Sequence, residues 1–211
     1  MPSGSAWLGS SWGAMLALAY AARHPERMAR IVLVGCGTFD ETSRDRLEVT
    51  IEARTGEALR AELRRIEREI DDPDLRLATR ARLLIPVYSH DALESSLENE
   101  WVDARGNRES WQDMLRLQRQ GRYPRAFRSI TAPILMLHGS GDPHPGSMIR
   151  DGLLPHLPQL EYEELERCGH YPWLERAVRE KFFARLTDWL SRLEPGGSST
   201  AAAPPGRRVT G

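Results

Sequence analysis

Cysteine is scarce in this chain of 211 residues: Cys36 and Cys168 are the only two. Two thiols allow at most one bridge, so a disulfide-stapled secreted scaffold is excluded, and a pair of free thiols in a reducing compartment is expected. Long hydrophobic runs are missing as well. The longest weakly polar stretch, Trp12 to Ala22, is too short to span a bilayer and ends in Arg23-His24-Pro25. The first residues, MPSGSAWLGSSWG, have neither a basic segment nor a run of strong hydrophobes, so they do not read as a signal peptide. Charge of one sign is also lacking. The formal net charge is −1, acids are interleaved with the many arginines, and no basic face offers a footprint for nucleic acid. These absences point to a cytoplasmic protein with no nucleic-acid or membrane partner.

What is present is a modest apolar fraction of 40%, enough for one core. Gly4 to Leu8 is a short apolar stretch ahead of a Gly-Ser-Ser-Trp-Gly turn. Trp12 to Arg23 is rich in Ala, Leu and Met, apolar on nearly all sides, and reads as a buried helix that must stop near Pro25. Ile31 to Val34 is β-branched without alternation, as in a strand covered on both faces. Residues 40 to 127 are charged and helical in pattern. Candidate helices cover Glu57 to Ile70, Asp74 to Val87 (broken by Pro86) and Ser110 to Gln120. Ile134 to Leu137 is a second buried strand, Gly146 to Leu154 a helix, Glu161 to Leu165 a weaker strand and Leu174 to Leu193 a long amphipathic helix. The fold class is therefore α/β, with a parallel sheet of about four strands and an inserted helical lid. Its divisions are 1–38 and 129–194 for the core, 39–128 for the lid, and 195–211 for a Gly/Ser/Ala/Pro-rich tail expected to be disordered. The strands near Ala6, Val32, Leu135 and Tyr162 are expected to lie parallel and adjacent in sequence order.

Gly9-Ser10-Ser11-Trp12-Gly13 fits G-x-S-x-G between a strand and a helix. That turn strains the backbone at Ser11, and the two glycines let strand and helix pass closely. Ser10 is a rival by residue type but is out of register with the glycines. A serine hydroxyl needs a base, and the base needs an orienting carboxylate. Asp142 follows the strand ending at Leu137, and His170 lies 28 residues later in the loop after the next strand. Both loops sit where open α/β sheets place their sites. Should Asp142 lie apart from His170, Glu166 is the next acid to consider. His138 reads as a packing or capping residue. His144 is close enough to Asp142 to compete as a site residue, though its position in the chain is wrong for a base. His24, His90 and His156 read as surface or lid residues. His138, Asp142 and His144 have no convincing further ligand, so no metal and no cofactor are expected.

Several segments together carry a family resemblance. Ser11-Trp12-Gly13, Leu16 to Ala21 and His24-Pro25 resemble the elbow and helix of the proline iminopeptidase branch of α/β-hydrolases. Leu137-His138-Gly139 with Asp142 resembles the acid loop, and Cys168-Gly169-His170 with Trp173-Leu174-Glu175 the histidine loop and last helix. The likeness covers roughly residues 5–38 and 130–192. It implies Ser11 as nucleophile, Asp142 as orienting acid, His170 as base and the Trp12 backbone N–H as an oxyanion donor. Family members normally have another four strands before the elbow and a His-Gly or Gly-Gly loop there for the second donor. The resemblance therefore implies an N-terminally truncated member that lacks this loop. Iminopeptidases hold a free amino terminus with lid glutamates, and Glu94, Glu98, Glu100 and Glu109 are available. Trp101 and Trp111 either wall a substrate pocket or form the lid core. The expected function is serine hydrolysis by acyl transfer on a small molecule or short peptide, with a proline-type aminopeptidase first. An esterase or carbon–carbon bond hydrolase is the alternative within the fold, and an inactive fragment or binding module the alternative outside it.

Overall fold

A computed structural model of the chain describes residues 4–93 and 102–192. The expected tail, along with Trp101, Glu94, Glu98 and Glu100, falls outside these described residues. Eleven strands and α-helices order the described chain: β1 (Ser5–Ser10), α1 (Trp12–Arg23), β2 (Met28–Val34), α2 (Glu41–Arg54), α3 (Glu57–Glu69), α4 (Pro73–Tyr88), α5 (Ala104–Arg119), β3 (Ile134–Gly139), α6 (Gly146–Leu153), β4 (Leu160–Leu165) and α7 (Arg179–Ser191).

The four strands form one parallel sheet in the order β1-β2-β3-β4, as expected. Leu8 pairs with Val32, Val32 with Leu135, and Leu135 with Glu161, so the register runs straight across the sheet. Successive side chains of a strand point to opposite faces. Ile31, Leu33, Ile134 and Met136 enter one core with Ala14, Met15, Leu18, Ile149 and Leu153 of α1 and α6. Val32, Val34, Leu135 and Leu137 enter a second with Phe182 and Trp189 of α7. Two covered faces leave no polar face on the central strands, which is why β2 and β3 read as unbroken apolar runs.

Four helices, α2 to α5, stand between β2 and β3. Three details differ from the sequence reading. The helix α2 was not anticipated. It buries only Ser43, so it has almost no apolar stripe, and its start is fixed instead by Asp40, whose side chain accepts from the Ser43 backbone N–H at 2.7 Å. Helix α4 is not broken at Pro86, which lies in its last turn and costs one hydrogen bond there, and the helix runs on to Tyr88. The last helix begins at Arg179 rather than Leu174, because the preceding residues form the turns that hold Glu175 in the interior. The insertion is tied to the core at its base: Arg54 donates to the carbonyls of Val87 (3.1 Å) and Gly141 (2.8 Å). Among the described residues no helix is long and apolar enough to cross a membrane.

Candidate active site

The nucleophile candidate is shaped by its own backbone. Ser11 sits between β1 and α1 with φ 53° and ψ −122°, a left-handed conformation that a residue with a Cβ adopts only under constraint. Its N–H donates to Val34 O at 2.9 Å, which fastens the turn to the end of β2. A Cβ on Gly9 would lie 2.4 Å from Gly13 O, so strand and helix do pass too closely for any larger residue at Gly9. The crowding is one-sided. A Cβ on Gly13 would meet nothing within 4 Å, so the steric reason anticipated for that glycine does not hold.

The acid and base candidates come from the other half of the sheet. Asp142 follows β3 and His170 follows β4; both are buried. Asp142 Oδ2 lies 2.6 Å from His170 Nδ1. Asp142 is thus beside His170, and Glu166 is not needed as a substitute. The His170 loop is clamped on several sides. Its N–H donates to Tyr88 O at 2.7 Å, and the Gly141 N–H donates to Cys168 O at 2.7 Å. Gly35, with φ 53°, lies beneath the ring: a Cβ there would fall 2.9 Å from His170 Nδ1.

Two more residues complete this arrangement, one that sequence reasoning missed and one that it considered only as a competitor. Glu175 is fully buried, and its carboxylate accepts three backbone N–H groups: His90 at 2.7 Å, Asp91 at 2.6 Å and Gly169 at 3.0 Å. It pins the segment after α4 to the residue beside His170. Its first two partners are 85 and 84 residues away, so no local signal marks the role. The second is His144. Its backbone N–H and its ring Nδ1 each lie 2.9 Å from Asp142 Oδ1. Its ring stacks on His170 with centroids 4.7 Å apart and planes 19° from parallel. The spacing of two residues from Asp142 was the available signal.

His138 is buried under the same carboxylate. Its Nε2 lies 3.0 Å from His144 O and 3.3 Å from Asp142 Oδ2, while its Nδ1 has no hydrogen-bond partner among the described residues. Packing and capping is therefore its observed environment. Burial works to raise the Asp142 pKa, but the His170 charge, the hydrogen bonds from His144 and His170, and the His138 charge outweigh it and hold the carboxyl well below its usual value. Burial pushes His138 and His144 the other way from a charged state, lowering both against the opposing pull of Asp142. An ionised carboxylate only accepts, so both Nδ1 atoms facing it carry a proton. Potential metal-ligating atoms of Asp142, His144 and His170 lie within 4.8 Å of one another, a trio with His170 in place of the His138 considered from sequence. Both imidazoles are already spent on the two oxygens of Asp142, which makes the carboxylate the hub of a hydrogen-bond network.

Ser11, His144, His170, Tyr88 and Tyr171 line one cavity of about 340 Å³. The remaining wall comes from Leu77, Arg80, Ala81 and Leu84 of α4 and Asn107 of α5, so the helical insertion forms one side of it. Burial raises the Tyr88 pKa and pushes Tyr171 up to about 12, keeping both phenols neutral donors. Cys36 and Cys168 are free and buried, each pushed up to about 12 by burial, and neither is a thiolate nucleophile. Trp111 does not line this cavity; it packs edge-on to Trp12, centroids 5.3 Å apart, against the first core. Glu109 pairs with Arg105 on the exposed side of α5 at 2.7 Å and does not line it either.

The sequence profile of the alpha/beta hydrolase family matches residues 2–181. A pimeloyl-[acyl-carrier protein] methyl ester esterase from Aromatoleum aromaticum is 26% identical over 183 residues, 82% of this chain and 70% of that protein. Among solved structures, VinJ superposes with a TM-score of 0.54 at 19% identity, covering 91% of this chain and 67% of its own. A 2-hydroxy-6-oxo-6-phenylhexa-2,4-dienoate hydrolase from Rhodococcus sp. strain RHA1 gives 0.51 at 21% identity, covering 89% and 64%. A proline iminopeptidase from Mycobacterium smegmatis gives 0.51 at 17%, covering 90% and 66%. At these identities the structural likenesses describe the fold. The chain spans about two thirds of the length of these solved structures.

Proposed function

Because the chain belongs to the alpha/beta hydrolase family, we propose that it carries a serine hydrolase site acting by acyl transfer, with Ser11 as nucleophile, His170 as base and Asp142 as orienting acid. The observation that carries this reading is the 2.6 Å contact between Asp142 Oδ2 and His170 Nδ1 inside a cavity that Ser11 also lines. In the proposed reaction Nε2 of His170 takes the Ser11 proton as Oγ attacks the carbonyl carbon. Asp142 fixes the tautomer and stabilises the imidazolium. The N–H of Trp12, first in α1 and without a partner inside the helix, serves as an oxyanion donor. The imidazolium then gives its proton to the leaving group. Water, activated by the same nitrogen, releases the acid.

Of the substrate classes, a carboxylic ester fits better than a free amino-terminal peptide. The insertion presents Leu77, Ala81 and Leu84 to the cavity, an apolar wall for an acyl chain. Among the described residues no Asp or Glu lines it. The methyl ester esterase relative supports the same choice. The test is covalent labelling with a fluorophosphonate and turnover of p-nitrophenyl butyrate against proline p-nitroanilide. The expected outcome is a single adduct on Ser11, absent in Ser11→Ala, and ester turnover reduced at least about a thousandfold by that substitution. Turnover of the anilide alone would return the assignment to an aminopeptidase. Labelling that persists in Ser11→Ala would remove Ser11 from the site.

A further inference from the structure

We propose that His144 is a positioning residue for the base: it occupies Oδ1 of Asp142, leaves Oδ2 to His170, and so fixes the direction from which the carboxylate holds the catalytic ring. The inference rests on the assignment of His170 as base, and four observations support it. His144 spends two donors, its N–H and its Nδ1–H, on a single oxygen at 2.9 Å each. The other oxygen receives the shorter contact, 2.6 Å from His170. The His144 carbonyl faces His138 Nε2 at 3.0 Å, so its backbone is held on both sides. Finally, its ring lies against His170 at 4.7 Å, closing one face of the catalytic imidazole, while Tyr88 and Tyr171 meet that imidazole edge-on at 5.3 and 4.9 Å.

A carboxylate with one empty oxygen lets a neighbouring imidazole slide between two acceptors. With Oδ1 filled by two donors, Oδ2 is the acceptor left to His170, with His138 Nε2 at 3.3 Å from the same oxygen. A shift of the base by about 1 Å is enough to cost on the order of a hundredfold in rate. Merely filling space would not require His144 to have a donor at Nδ1, and this separates the proposal from packing.

The experiment compares wild type, His144→Phe and His144→Asn. Phenylalanine keeps a flat ring and removes the donor; asparagine loses the ring, but its amide nitrogen takes the place of Nδ1. Low-field proton NMR of protein labelled with ¹⁵N at histidine should show two ring Nδ1–H resonances on Asp142 in wild type. His144→Phe should lose one of them and move the other, with kcat for p-nitrophenyl butyrate falling about tenfold to a hundredfold and KM changing less than about twofold. His144→Asn should restore the position of the His170 resonance and most of kcat. An unmoved His170 resonance in folded His144→Phe overturns the proposal, as do equal losses in the Phe and Asn variants. Should His144→Phe not fold, His144→Ala serves as the donor-free variant, and failure of both to fold makes His144 a packing residue and also overturns it. The NMR reading does not depend on turnover. A moved resonance in a protein whose Ser11 is never labelled would sink the hydrolase assignment and leave the pairing of the two imidazoles standing.

Discussion

The two halves of the candidate site are built by opposite means. Ser11 stands at the end of β1, an edge strand with Trp7 at 36% and Leu8 at 55% exposure, and Leu16 of the following helix is 41% exposed. Its geometry is mostly local, set by one left-handed residue and the close pass of Gly9 over Gly13, with one hydrogen bond to Val34 on the neighbouring strand. Asp142 and His170 stand on β3 and β4. Every residue of β3 is buried, and the loops above it are held by contacts that bridge distant stretches of chain. A serine set by a turn should tolerate change in its surroundings. An imidazole set by long-range clamps should depend on each of them.

The largest expected difference between the halves is at Glu175. Replacing it by alanine leaves the buried Gly169 N–H and the part-buried N–H groups of His90 and Asp91 without their acceptor. Each such group costs about 1 to 3 kcal/mol, and together they should lower unfolding stability by on the order of 4 kcal/mol. Glu175→Gln keeps one carbonyl oxygen and should cost about half as much. Urea denaturation followed by tryptophan fluorescence measures both. A Glu175→Ala loss below about 1 kcal/mol would show that the base loop does not depend on this clamp, and the contrast between the halves would collapse.

That contrast also sets what was readable from the amino-acid sequence. The buried character of β2 and β3, the strand order and the glycine-flanked turn were legible, as was the chain order of the candidates Ser11, Asp142 and His170. The side-chain clamps between distant segments were not. The clamp at Glu175 joins segments about 85 residues apart, and only the folded chain brings them together. His144 was visible as a neighbour of Asp142, but its stack on His170 requires β3 and β4 to be paired. Helix α2 escaped for a different reason. It has a capping aspartate but almost no apolar face, so hydrophobic periodicity had nothing to detect. Trp111, left open between a pocket wall and a lid-core residue, stands against Trp12.

A smaller effect separates the halves by pH. Both His138 and His144 are held neutral by burial, their folded values lying below the ordinary 6.5. Between the folded and unfolded values the unfolded chain binds more protons, so unfolding free energy rises with pH across that window. Stability should therefore fall as pH drops below about 6.5. The depressed carboxyl of Asp142 adds a second loss only as pH falls below 3.8 toward its folded value. The strain and hydrogen bonding at Ser11 involve no titrating side chain. Urea midpoints should drop between pH 7.5 and 5.5, and His144→Phe should shrink the drop. An unchanged midpoint across this range would mean that the imidazoles accept protons in place.

The smallest expected effect tests the edge directly, using two residues that pair in register. Leu8 on β1 faces Val32 on β2, so both belong to the same side of the sheet and differ chiefly in what covers them. Val32 is 1% exposed and packs among Val34, Leu135 and Leu137 under α7. Threonine is close to valine in shape, so Val32→Thr changes little but polarity, burying a hydroxyl among apolar side chains at a cost of about 1 to 3 kcal/mol. Leu8→Thr places the same hydroxyl where more than half of the side chain already meets water. A strand-compatible residue there should shift stability by no more than about 0.5 kcal/mol. Ester turnover should be unchanged by it, because the Ser11 turn depends on Gly9 and Val34 and not on the Leu8 side chain. Thermal melts of the two single variants and of the pair decide the matter. A Leu8→Thr loss equal to that of Val32→Thr would mean that the outer face of β1 is covered in solution, and the edge would then have to be described as an interface.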